Sequence, residues 1–143
     1  MQSAKLSFTA RSTSKDLVLT VRLDDILIFI GSVNPDSQLI EFNFDDSQES
    51  DHFLEIEMSG KTPAHTIIDD QGNIINDHFI IIDDILFDGI PTGNIFTDLA
   101  EYHHDFNKTR SPTVEKFYGT IGCNGIIKLK FSTPIYLWML ENM

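Results

Sequence analysis

Carboxylates are the chemistry-bearing residues this chain carries in excess, and they come in clusters. Asp45, Asp46, Glu49 and Asp51 lie in one polar stretch, Asp69 and Asp70 precede a Gly-Asn pair, and Asp77, Asp83, Asp84 and Asp88 bracket two apolar runs. Calcium takes about six to eight oxygen ligands, several of them carboxylates on loops. Asp77, Asp83, Asp84 and Asp88 are therefore the candidate metal ligands and calcium the candidate cofactor. No cluster has the spacing of an EF-hand loop, since DDQGNIIND lacks the closing glutamate. The alternative role of all these acids is to form solvated turns.

Histidines raise a second possibility. In Tyr102-His103-His104-Asp105, a strand would put His103 and Asp105 on one face and His104 on the other. A transition-metal site, and with it a metal-dependent enzyme, would need a third ligand from His52, His65 or His78. HExxH, P-loop, GxGxxG and GxSxG motifs are all missing. Cys123 lies between glycine and asparagine, without a basic neighbour to activate it. Glu55 and Glu57 could flank a glycosidic bond, but they alternate with Leu54, Ile56 and Met58 and so face water. The expectation is a protein that is not an enzyme.

Phe117, Tyr118, Tyr136 and Trp138 could stack on a sugar or meet a protein partner, and Tyr136 and Trp138 are the candidate ligand-binding pair. They share a face in a strand and stand about 200° apart in a helix, so the element that carries them decides.

Period-two alternation dominates the elements that must position these residues. Lys5–Ala10, Leu17–Leu23, Leu39–Phe44 and Phe53–Met58 each show one wet and one dry face. Ile26–Ile30 is a solid apolar run, expected as a strand buried on both faces or curled into a sandwich. GSVNPDS (Gly31–Ser37) is a turn, and Gly72–Asn73 suits a tight hairpin between Thr66–Ile68 and Ile74–Ile75. Phe79–Ile82, Ile85–Phe87, Lys116–Thr120 and Gly125–Ser132 complete the expected strands.

Two segments have alternative readings. Ile95–Asn107 supports a short helix over Asp98–Tyr102 or a strand over Ala100–His104. Ile135–Leu140 supports a strand, or a helix with Thr133 as cap and Pro134 first in the helix. The word DDIL occurs at Asp24–Leu27 and Asp83–Leu86, but the flanks do not align, so it marks no duplication. Short strands at regular spacing predict an all-β, two-sheet antiparallel sandwich of jelly-roll type, with one short helix possible near the C-terminus, in a single domain over residues 1–143.

The 22 acidic and 10 basic residues leave a net charge of −12, which repels nucleic acid and anionic membrane. A single cysteine forbids an internal disulfide, and MQSAKLSFTARSTSKD has neither the basic nor the apolar region of a signal peptide.

Two resemblances add to this. NDHFIIIDDILFDG (Asn76–Gly89) is similar to the closing segment of calcium-dependent xylan-binding β-sandwich modules: Asn76 and Asp77 match their turn, Asp83 or Asp84 their internal acid and Gly89 their end. His78 and Phe79 stand where those modules place an arginine and a polar residue. The resemblance implies a sandwich and calcium held against sugar hydroxyls. LEIEMSGKTPAHT, QGNII, YHHDFN, FYGTIGCNG and FSTPIYLWMLENM, in that order, resemble small uncharacterised proteins of T4-like phages of marine cyanobacteria. That implies a phage origin, in the virion or the host cytoplasm. The leading expectation is a phage structural or assembly module that meets a protein partner or itself. The alternatives are a calcium-dependent carbohydrate-binding module and a metal-dependent enzyme using His103 and Asp105.

Overall fold

Alternating side chains build two antiparallel sheets whose dry faces meet; the computed structural model describes residues 2–143. In β1 (Ser3–Ser12), Ala4, Leu6, Phe8 and Ala10 turn inward while Lys5 and Arg11 face water. β2 (Val18–Leu23) and β3 (Ile26–Gly31) form a hairpin, followed by β4 (Gln38–Asp45) and β5 (Ser50–Ser59). A single 3-10 turn, Pro63–His65, leads into β6 (Thr66–Ile68) and β7 (Ile74–Asp77). β8 (Ile80–Phe87), β9 (Ile90–Pro91), α1 (Asn94–Leu99) and β10 (Glu101–His104) come next. β11 (Thr113–Lys116), β12 (Thr120–Ile121), β13 (Gly125–Thr133) and α2 (Ile135–Glu141) complete the chain.

One large sheet runs β12-β8-β1-β4, with β9 also on β8, the other runs β11-β10-β13-β5-β2-β3, and β6 and β7 pair as a separate two-stranded sheet. The predicted all-β antiparallel sandwich with a short C-terminal helix is what forms. Phe44 and Phe87 of the first sheet pack edge-on against Phe131 of the second, with ring centroids 5.2 and 5.0 Å apart. T-shaped contacts at such distances suit the aromatic quadrupole, and here they join the layers. Leu19, Val21, Leu54, Ile56, Met58, Ile127 and Leu129 fill the rest of the second sheet's dry face.

Several local expectations change in the structure. Ile26–Ile30 is not doubly buried: β3 is the free edge of the six-stranded sheet, and Ile26, Leu27 and Ile30 are exposed. Hydrophobicity shows that a strand seeks a cover, not that this chain supplies one. Phe79–Ile82 and Ile85–Phe87 merge into one strand, β8, bulged against β1 where Asp84 takes a positive φ of 55°. Lys116–Thr120 is not a strand; the chain leaves β11 at Lys116 to bury Phe117 and resumes pairing at Thr120. Ile95–Asn107 takes the strand alternative, as β10, while the helix lies earlier, at Asn94–Leu99, and not over Asp98–Tyr102. At the C-terminus the helix forms, with Pro134 rather than Thr133 as N-cap. DDIL serves as a hairpin turn at Asp24–Asp25 and as a bulge at Asp84.

Candidate functional site

The wet face of the six-stranded sheet carries the organised polar surface. Register places Arg22 opposite Glu55, Glu55 opposite Lys128, Lys128 opposite Glu101 and Glu101 opposite Lys116. Charge therefore alternates in a row across five strands, each carboxylate lying between cations. Arg22 donates to Glu55 at 3.3 Å and to Glu57 at 2.9 Å, and the Glu57 bond in particular raises its guanidinium pKa further.

On one side of this row lies a groove of about 820 Å³. Phe53 reaches its floor from β5 with 54% of its surface exposed, one cross-strand step from Lys130. Asp24, Asp25, Asp51, Glu55, Glu101 and Lys128 line the walls, and Leu99 adds apolar surface from the end of α1. On the other side of the row is a second depression of about 500 Å³, lined by His103, Lys108, Pro112, Val114 and Ile126 among others.

The turn that lines the first groove is fixed to β5. Asp24 and Asp25 have positive φ of 51° and 66°, the conformation of a two-residue hairpin turn whose twist matches its strands. Asp24 accepts from the Phe53 amide at 2.8 Å through one carboxylate oxygen, and its own amide donates to the Phe53 carbonyl at 2.9 Å. The hairpin tip is thus fastened to the backbone that carries Phe53. A flat apolar ring amid hydrogen-bonding carboxylates and ammonium groups can stack on the C–H face of a sugar while the walls meet its hydroxyls.

The sequence candidates are dispersed. Asp77 ends β7, where its Oδ1 accepts from Lys61 Nζ and from the Thr66 hydroxyl, both at 2.7 Å. Burial pushes its carboxyl up, but Lys61, Thr66 and the His78 amide outweigh burial and hold it below the usual carboxylate range. Asp83 and Asp84 are exposed at the β8 bulge. Asp88, at the far end of β8, accepts from the Lys5 amide at 2.7 Å and from the Tyr136 hydroxyl at 2.9 Å. An extended strand advances about 3.3 Å per residue, so β8 separates acids that the sequence places close together. Among the described residues no three His, Cys, Asp or Glu side chains gather around one point. These acids do not fit a calcium ion held by several carboxylates.

Tyr136 and Trp138 do not form one platform. On α2 they diverge, Tyr136 half exposed and Trp138 7% exposed against Phe87 and Phe131. Of the other aromatic candidates, Phe117 is buried and Tyr118 is 78% exposed. His103 and Asp105 gain no third ligand: His103 lies 3.2 Å from Glu101, and Asp105 accepts from the Lys108 amide. His52 is inside the sandwich beside Asp24, His65 contacts Asp16, and His78 meets Thr13. Phe53 was the residue missed, although its signal was present: it shares parity with Glu55 and Glu57, an aromatic on a strand's wet face.

No family model and no curated protein matches the chain. Solved structures similar to it include vCBM60 in selenomethionine form, described as part of an evolutionary link by circular permutation between two families of calcium-dependent carbohydrate-binding modules. It is 9% identical with a TM-score of 0.55, over 88% of this chain and 89% of that one. vCBM60 in complex with galactobiose is 10% identical with a TM-score of 0.53, over 87% and 96%. At this identity the likeness establishes a shared sandwich fold.

Proposed function

We propose that the protein is a non-catalytic carbohydrate-binding module that receives a saccharide in the groove over Phe53. The observation that carries this reading is the exposed Phe53 ring set among Asp51, Glu55, Glu101, Lys128 and Lys130. The similar structures, from calcium-dependent carbohydrate-binding modules and including one galactobiose complex, support the same ligand class. Ring stacking supplies apolar contact, and the five carboxylates and two lysines that line the groove offer acceptors and donors to hydroxyls. This reading places the carbohydrate-binding alternative ahead of the expected virion assembly role.

The ligand contacts come from side chains of the groove, so binding proceeds without calcium at Asp77–Asp88. The experiment is affinity electrophoresis and calorimetry on galactans and xylans, with calcium and with chelator, for the wild type and Phe53→Ala. Retention that survives chelation and falls at least tenfold in Phe53→Ala is the expected result. Absence of retention on every polysaccharide, or an undiminished Phe53→Ala, would overturn the proposal.

Assembly in a phage particle is the second reading, and it would put the protein in the virion or the host cytoplasm. It draws on a different surface, the uncovered apolar strand β3.

A further inference from the structure

β3 pairs with β2 on one side and with nothing on the other. Its sequence, ILIFIG, contains no charge and no proline, and Ile26, Leu27 and Ile30 are 66%, 56% and 61% exposed. Edge strands are ordinarily guarded by a charge, a proline, short length or a covering element. The other edges of the two large sheets are guarded: β4 carries Glu41 and Asp45, β11 carries Glu115 and Lys116, and β9 and β12 have two residues each. The bulge that leaves Ile28 unpaired with β2 does not withdraw the apolar side chains from water.

The charges at the two ends of β3 indicate what covers it. Asp24 and Asp25 precede the strand. At its other end, the Ser32 hydroxyl donates to the Lys15 carbonyl at 2.8 Å, which brings exposed Lys15 beside the end of the strand. We propose that the occupant is a second copy of this chain, its β3 paired antiparallel with the first across a two-fold axis. That arrangement sets the Asp25 tip of each copy near Lys15 of the other, twice, and buries Ile26, Leu27 and Ile30 of both. A parallel arrangement would stack acid tip on acid tip. Six residues per copy make a small interface, so the dissociation constant is on the order of micromolar. The pairing extends the six-stranded sheet and leaves the Phe53 groove on its face.

The test is sedimentation velocity of the full chain between low micromolar and high micromolar concentration. A concentration-dependent species of twice 16.2 kDa is expected. Asp25→Lys and Lys15→Glu should each weaken the dimer about tenfold, and the double variant should restore it, because opposite charges again face each other. Ile30→Lys, checked for a native circular dichroism spectrum, should give monomer. A single-chain mass at every concentration, leaving the edge to a foreign strand, would overturn the proposal. So would a dimer indifferent to Ile30→Lys, or a double variant no better than either single one.

Discussion

The Asp24 carboxylate lies 2.7 Å from Nδ1 of His52, so the tip of the β2–β3 hairpin is tied to a histidine inside the sandwich. A carboxylate only accepts, so Nδ1 carries the proton of this contact. Nε2 is buried without a partner, and the ring stacks on Phe131 with centroids 5.3 Å apart. Asp24 thus joins the turn, the core and the strand of Phe53 through one side chain.

Removing that carboxylate leaves Nδ1 as unpartnered as Nε2 and frees the Phe53 amide. Asp24→Ala should lose about 2–3 kcal/mol. Asp24→Asn, which tolerates positive φ and keeps an oxygen acceptor, should lose less. Urea denaturation monitored by Trp138 fluorescence measures both, and equal losses would show that the carboxylate is not what matters.

Lys61 is a buried lysine held by Asp77 and by the Gly122 carbonyl at 2.6 Å. Lys61→Met keeps the stem's packing but leaves Asp77 without its cation. Breaking a fully buried pair costs about 3–5 kcal/mol, and because Asp77 still reaches water, about 2–4 kcal/mol is expected here. Equilibrium unfolding at neutral pH measures the loss, and a change within error would show that Lys61 fills space only.

The same pair sets an acid limit. The folded-state pKa of Asp77 is lowered, so its contribution is fully present above the ordinary aspartate value of about 3.9 and is lost as pH falls through the folded value. Melting temperature should therefore decline below about pH 4. The decline should be shallower in Asp77→Asn, whose side chain does not titrate. Parallel curves for the two proteins would remove Asp77 from the account.

Gly125 lies where β13 meets β10, and a Cβ there would collide with the His103 carbonyl and approach the His104 Cβ to 2.8 Å. Neither backbone can yield without disturbing the β10–β13 ladder. Gly125→Ala should cost about 1–3 kcal/mol, the range for overpacking. Calorimetric melting tests this, and an unchanged melting temperature would show that the two strands part without penalty.

In the groove, Lys130 and Phe53 are cross-strand neighbours with separable duties. Lys130→Ala should weaken saccharide binding about 2–10-fold through a lost hydrogen bond. Phe53→Ala should weaken it further through lost stacking, and stability should change little in either variant because both side chains face water. Comparing calorimetric affinities with melting temperatures separates a binding role from a folding one.

Much of this protein can be read from its residues one strand at a time. Alternation in Leu17–Leu23, Leu39–Phe44 and Phe53–Met58 determined which side chains face inward, because a pleated strand sends successive residues to opposite faces whatever lies beyond. The same parity exposed Phe53 beside Glu55 and Glu57, although nothing local marked it as the floor of a groove. What tertiary structure alone decided was which strands became neighbours. Carboxylates close in sequence at Asp77, Asp83, Asp84 and Asp88 were spread from the end of β7 to the far end of β8, while Asp77 met Lys61 and Asp24 met His52 across gaps of 16 and 28 residues. Helical geometry in α2 sent Trp138 into the core and Tyr136 out to Asp88. Position in the sheet left the apolar run of β3 at an edge. Hydrophobicity and periodicity act through a residue's own backbone, so the sequence states them; pairing order depends on contacts that only the closed sandwich brings together.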